Sequence, residues 1–334
     1  MKKISLGLIG AFAAISMATS ANAQQIVVGA ASNVGGMEIF VAQAKGFFAK
    51  HGLDSKVVVR NTGSALTKSL KAGQIDFAPA AFTNLPVALE RGFKVNGVVG
   101  YLGGMYKHST HDTNVGIIAR PGSGVKTIKD MKGRKIGVAF GTTGDLYFRT
   151  LLRNNGMTKN DVKRINVRPP SHVSVLDTDG VDAVVAWEPN VTRALEKVKG
   201  SHLVVRGGNH VCFCALIHGI PSKVYGDKKR TQALVDAISE AAAYLRDPAN
   251  LNSVAQIGSQ FVRGMTPALI KKTLKHVTFD PRIGPKTADA FNFSVKQLIS
   301  QKKMKKPYDA NKYLEFQFIN STMKRHPEWF ADLK

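Results

Sequence analysis

The sequence predicts an α/β protein of two similar lobes, each built on a mostly parallel sheet, with a hinge and a cleft between them. Three observations predict it. The first is a segment that occurs twice. Leu70-Lys71-Ala72-Gly73-Gln74-Ile75-Asp76-Phe77-Ala78 returns in outline as Leu176-Asp177-Thr178-Asp179-Gly180-Val181-Asp182-Ala183-Val184. In both copies a Leu precedes an Asp by six residues, and a β-branched residue directly precedes the Asp. Each copy reads as helix end, turn and short buried strand. The second observation is that strand-like and helix-like patterns alternate along the chain, the signature of parallel sheets covered by helices. The third is length: 334 residues suffice for two domains with separate cores.

Taken in order, Ile26 to Ala30 reads as a buried strand. A small polar loop, Ala31 to Gly36, precedes a helical pattern from Met37 to about Lys50, apolar at Ile39, Phe40, Ala44, Phe47 and Phe48. Lys56 to Arg60 is a strand, and Asn61 to Ser64 carries N-cap chemistry for a helix over Ala65 to Lys71. Strands follow at Phe77 to Ala80 and Val95 to Tyr101, with a helix between them that runs to about Arg91. Leu102-Gly103-Gly104 marks a change of lobe. The second lobe is expected to use strands near Val115 to Ala119, Lys135 to Ala139, Ile165 to Val167, Ala183 to Trp187 and Leu203 to Val205. The apolar run Val211 to Ile217 carries the chain back, and Pro-punctuated helices dominate after Thr231.

The first residues read as a secretory signal peptide. Lys2 and Lys3 precede an apolar run from Ile4 to Ala18, and Ala21-Asn22-Ala23 supplies a small-x-small cleavage site. The apolar run is too short for a membrane span. The formal net charge is +24, strongly basic. Export and the scatter of the lysines argue against nucleic acid as a partner. Solvated helix faces or attraction to anionic ligands account for the charge instead.

Cys212 and Cys214, the chain's two cysteines, form no disulfide framework. In a strand, His210, Cys212 and Cys214 would share one face. That pattern fits small buried hydrophobes, with a soft metal site as the alternative. His108 and His111 read as surface or hinge residues. No nucleophile elbow or zinc-protease helix occurs, so no catalytic residue, cofactor or metal is expected.

Three loops share one design, in which a strand ends, a Gly/Ser/Thr/Asn turn follows and a helix begins. They contain Asn33 and Gly36, Thr62 and Ser64, and Gly141, Thr142 and Thr143. Free N–H groups at such helix starts suit an anionic group. Phe82-Thr83-Asn84 and Trp187-Glu188 follow the two repeated segments and complete the expected ligand-binding set.

The chain resembles the solute-binding proteins of ABC importers, in the sulfonate/taurine/nitrate and thiamine-pyrimidine group. The resemblance rests on Ala44-Lys45-Gly46-Phe47-Phe48-Ala49-Lys50-His51-Gly52-Leu53, Gly63-Ser64-Ala65-Leu66 and Leu70 to Phe77. It continues through Ile128 to Val138, Gly141-Thr142-Thr143 and Val181 to Pro189. It implies a two-lobed type II periplasmic binding protein. Residues 1–23 would be the signal peptide, 24–102 and 211–334 lobe one with C-terminal helices, and 103–210 lobe two. It implies a monomer in the periplasm that delivers a small, anionic, sulfonate- or taurine-like nutrient to an inner-membrane ABC permease. The alternative it leaves open is a pyrimidine-precursor binder or a metal-dependent pyrimidine-synthase-like enzyme. Cys212-Phe213-Cys214 resembles part of the cysteine cluster of those synthases, but His210 and Val211 stand where the preceding cysteines would be.

Overall fold

A computed structural model of the chain describes residues 24–333. The expected signal segment lies outside the described residues. Residues 24–102 form β1 (Gln24–Ala31), α1 (Met37–Ala44), α2 (Phe47–Lys50), β2 (Leu53–Arg60), α3 (Gly63–Lys71), β3 (Phe77–Ala81), α4 (Asn84–Glu90) and β4 (Asn96–Leu102). The single helix expected over residues 37–50 is two helices. Gly46 adopts φ 71°, a left-handed conformation that ends α1 and re-aims the chain.

After a first crossover come β5 (Val115–Ala119), β6 (Lys135–Val138), α5 (Thr143–Asn154), β7 (Lys163–Asn166), α6 (His172–Asp177), β8 (Ala183–Trp187), α7 (Asn190–Lys197) and β9 (His202–Arg206). A second crossover leads to β10 (Ala215–Gly219), α8 (Pro221–Gly226) and α9 (Lys228–Arg246). The chain finishes with α10 (Leu251–Phe261), α11 (Pro267–Leu274), α12 (Pro285–Ser300) and α13 (Phe316–Arg325).

The strands make two sheets of five, ordered β2-β1-β3-β10-β4 and β7-β6-β8-β5-β9. In the first, β1 lies parallel to β2 and β3, while β10 runs antiparallel to β3 and β4. Four strands therefore share one direction and β10 opposes them. In the second sheet β5 has the same part. Each opposed strand is the first that the chain makes after crossing over. A crossover leaves one sheet at the carboxyl edge of its parallel strands and enters the other at the same edge, so the next strand must run away from the cleft. The helices α9 and α13 cover the first sheet, and α12 and α11 reach across to α5 and α7. Lys272 of α11 pairs with Glu196 of α7 at 2.6 Å. Arg153 of α5 donates to Ser300 at 2.9 Å.

The repeated segment does the same job in both sheets. Asp76 donates its N–H to Val27 O at 2.7 Å, and its carboxylate accepts the Val27 N–H at 2.9 Å. Asp182 donates its N–H to Lys135 O at 2.8 Å, and its carboxylate accepts the Lys135 N–H at 2.9 Å. Each Asp thus pins its strand, β3 or β8, to the neighbouring β1 or β6. Each also meets one cation, Lys223 for Asp76 at 2.8 Å and Arg120 for Asp182 at 3.2 Å.

The two crossovers are strapped together by one carboxylate. Asp112 is buried and accepts the N–H groups of Asn209, His210 and Val211 at 2.9, 2.7 and 3.3 Å. Gly207, Gly208 and Asn209 take φ values of 58°, 110° and 60°, which turns these donors inward as an anion nest. His111 exchanges backbone bonds with Val211 and Phe213. Within the apolar run Val211 to Ile217 the strand β10 therefore starts only at Ala215, because the preceding residues bond to the other crossover.

Cys212 and Cys214 are joined in a disulfide, with a Cα–Cα separation of 5.1 Å. This corrects the reading of two separate small hydrophobes. The same bond takes up both thiols that the soft-metal alternative needs. His210 is engaged elsewhere, with Asn154 Nδ2 at 2.9 Å from its Nδ1.

Asp76→Ala and Asp182→Ala should each lower stability by about 1–3 kcal/mol, because each removes a hydrogen bond from a strand N–H to a carboxylate and an ion pair. Denaturant midpoints at pH 7 measure this. A loss below about 0.5 kcal/mol in both variants would contradict the pinning role.

Candidate functional site

The carboxyl ends of the two sheets face each other across a small cavity of about 80 Å³. The first sheet brings Asn33 from the loop after β1, Thr62, Gly63 and Ser64 from the turn after β2, and Asn84 from the start of α4. The second sheet brings Thr142 and Thr143 from the turn after β6, and Trp187 from the end of β8. Tyr101 and Leu102 of β4 and Phe213 of the second crossover complete the wall. No charged side chain lines it among the described residues.

Two helices aim their N-termini at this volume from opposite sides. Thr62 caps α3, its Oγ1 accepting the Ala65 N–H at 3.2 Å. Thr142 caps α5 in the same way, accepting the Asp145 N–H at 3.4 Å. Capping consumes the third N–H of each helix and leaves the first ones, on Gly63 and Ser64 and on Thr143 and Gly144, without intrahelical acceptors. Asn84 Nδ2 donates to Ser64 Oγ at 3.1 Å, which leaves the Ser64 hydroxyl proton free to donate. Thr83 and Thr143 share a buried hydroxyl–hydroxyl bond of 2.7 Å that joins the two sides directly.

The acids near the cavity are neutralised. Asp145, in the first turn of α5, binds Arg149 and Arg164 at 2.9 Å and Lys303 at 3.0 Å. Burial works to raise its pKa, but these cations outweigh burial and hold it below the usual carboxylate range. Glu188 is buried, accepting from Arg206 at 2.7 Å and from the Thr192 N–H at 3.1 Å.

The apolar wall is an aromatic cluster. Trp187 packs on Phe213 with ring centroids 5.7 Å apart and meets His172 edge-on at 5.6 Å. Burial pushes the fully buried His172 down to about 4. Phe213 is held on both sides: its own N–H bonds to His111 O at 2.8 Å, and Cys214 O accepts the Phe82 N–H at 2.7 Å.

Among the residues expected from sequence, Asn33, Thr62, Ser64, Asn84, Thr142, Thr143 and Trp187 surround the cavity. Thr83 and Gly141 lie just outside, on an adjoining groove. Gly36, Phe82 and Glu188 are not brought to the cavity. Gly36 donates its N–H to Asn33 O, and a Cβ there would collide with the Phe40 ring. Phe82 packs edge-on against Phe291 in the core. Glu188 precedes α7, accepts the Thr192 N–H in its first turn and pairs with Arg206, so both of its oxygens are already engaged. Sequence reasoning missed Tyr101 and Phe213. Tyr101 is buried and its hydroxyl has no partner among the described residues. A Tyr inside a buried strand was the available signal, since a buried hydroxyl needs a partner.

The family model described as "NMT1/THI5 like" matches residues 33–250. The chain belongs to this family. It is 32% identical over 163 residues to a putative binding protein of Brucella abortus strain 2308, covering 48% of this chain and 46% of that one. The chain spans about half the length of such curated relatives. Among solved structures, it resembles the alkanesulfonate-binding protein SsuA of Xanthomonas axonopodis pv. citri bound to MOPS. There the TM-score is 0.75 at 17% identity, covering 87% of this chain and 97% of SsuA. It also resembles the periplasmic nitrate-binding protein NrtA of Synechocystis PCC 6803, with TM-score 0.74 at 15% identity, covering 90% and 89%. At these identities the likeness establishes the fold, that of a periplasmic binding protein.

The burial of His172 predicts a pH effect. His172 has a folded pKa of about 4 against an ordinary value of 6.5, so between these values the unfolded chain binds a proton that the folded chain does not. Relative to His172→Gln, the parent protein should lose up to about 1.4 kcal/mol per pH unit as pH falls through that window. Paired denaturant titrations at several pH values measure the difference. A pH-independent difference would contradict the buried, neutral assignment.

Proposed function

We propose that the chain is a periplasmic solute-binding protein that captures a small organic anion, sulfonate- or taurine-like, and hands it to an ABC permease in the inner membrane. The observation that carries this reading is the convergence of two capped helix N-termini, α3 and α5, on one cavity without charged side chains. Such a site holds an anion by backbone N–H groups and hydroxyls. Trp187 and Phe213 would cover the apolar part of the solute. The proposed lobes are those expected from sequence, residues 24–102 with 211–334 and residues 103–210, and Thr83–Thr143 would be a latch of the closed state. Closure would stabilise the ligand complex because the two N-termini meet only when the lobes do. The fold of SsuA and NrtA supports the reading.

A second reading, a pyrimidine-type ligand, is favoured by the Trp187–Phe213 pair, which offers an aromatic face to a flat ring. One experiment separates the readings. In a thermal-shift screen, a matching sulfonate or carboxylate at 100-fold its dissociation constant should add about 2.7 kcal/mol of stability, with no response to pyrimidines. A response to pyrimidines alone would support the second reading.

Thr143 is the first residue of α5, where proline is tolerated. Thr143→Pro removes its hydroxyl and its free N–H, whereas Thr143→Val removes only the hydroxyl. The proline variant should bind the anion about tenfold more weakly than the valine variant, the worth of one hydrogen bond to a charged group. Equal affinities in calorimetry would refute amide recognition at α5.

A further inference from the structure

We propose that an outer anion subsite adjoins the central cavity, and that the solute carries two negative groups about 10 Å apart, one per subsite. The proposal rests on the organic-anion reading above and extends it to the class of solute. A groove of about 560 Å³ opens beside the cavity and shares Ser64, Asn84 and Thr142 with it. These residues form a neck beside the Thr83–Thr143 bond.

Two helices build the groove with matched faces. From α3 it takes Ser64, Thr67, Lys68 and Lys71, and from α4 and its C-cap Asn84, Val87, Ala88 and Arg91. Both sets have the spacing i, i+3, i+4, i+7, a single helical stripe. The stripes start together at the Asn84–Ser64 bond and end in cations one length of seven residues further out, about 10 Å along a helix. Between the ends the wall is apolar on the α4 side, Val87 and Ala88, with Leu146 and Leu298 opposite, while α3 presents Thr67 and Lys68. The order along the groove is therefore amide and hydroxyl donors, then a largely apolar wall edged by Thr67 and Lys68, then the cations Lys71 and Arg91. A solute with an anionic head, a short hydrocarbon body and a second anionic end matches that order.

The outer cations have no carboxylate partner among the described residues, and Lys71 lies 5.9 Å from the centroid of the Phe93 ring in the same groove. Lys303 pairs with Asp145 at 3.0 Å. No ion pair among the described residues engages Lys68, Lys71 or Arg91. Cations near helix C-termini complement the helix dipole, which accounts for these three lying on last turns. The dipole does not account for their facing one groove that leads to the cavity.

Calorimetry on the full mature protein tests this with matched probes: hexane-1-sulfonate against hexane-1,6-disulfonate, and heptanoate against suberate. The expected result is at least about tenfold tighter binding of the two-ended member of a pair, the sum of three partly exposed charge interactions. In the triple variant Lys68→Ala/Lys71→Ala/Arg91→Ala, with its fold checked by circular dichroism, that ratio should fall to near one. Equal affinity of both members for the parent protein, or a ratio that survives the triple substitution, would overturn the outer subsite and leave the organic-anion reading intact. Binding of neither member in either pair would overturn both.

Discussion

A carboxylate at the head of a strand sets the geometry of each sheet. Asp76 and Asp182 each exchange two hydrogen bonds with the backbone of the neighbouring strand, β1 or β6. Side-chain period in a strand is two, so register errors would turn a buried face outward. With the starts of β3 and β8 pinned, their carboxyl ends fall level with those of β1 and β6. The turns that follow therefore open at one edge. The same edge is where the two crossovers pass, tied to each other through Asp112. The cavity is the place where these edges meet.

The chemistry of that cavity is neutral donors without fixed charge. A lysine or arginine in the wall would bind an anion by Coulomb attraction but would itself need a partner when the site is empty. Backbone N–H groups at a helix start carry no such requirement, since water satisfies them in the empty site. The neighbouring acids are kept from repelling an anion. Asp145 is held by three cations and Glu188 by Arg206. The large positive charge of the chain is left for the outside, on the groove of α3 and α4 and on solvated helix faces, where it raises the local concentration of anions.

Much of this was legible in the sequence, for physical reasons. The doubled segment is a local pattern with a strand period and a turn, and it placed both strands correctly. Thr62 and Thr142 were legible as caps because capping needs only a hydroxyl at one position before a helix. Glu188 was not legible, because a carboxylate next to a Trp at a strand end looks the same whether it faces a ligand or a buried Arg206. Arg206 lies 18 residues further on, in β9, and only the fold brings the two together. Phe213 was obscured by the strand-like run Val211 to Ile217. The backbone bonds to His111 and the Cys212–Cys214 disulfide, which set its position, are tertiary facts. Gly36 and Phe82 have the composition of ligand loops but are spent on packing.

The proposed site holds an anion between the starts of α3 and α5. A crystal structure of the protein with a bound organic sulfonate tests it most directly. Sulfonate oxygens should lie within hydrogen-bond distance of a backbone nitrogen of α3, at Gly63 or Ser64, and of one of α5, at Thr143 or Gly144. A sulfonate held by lysine or arginine side chains instead, or by one of the two helices with the other turned away, would contradict it.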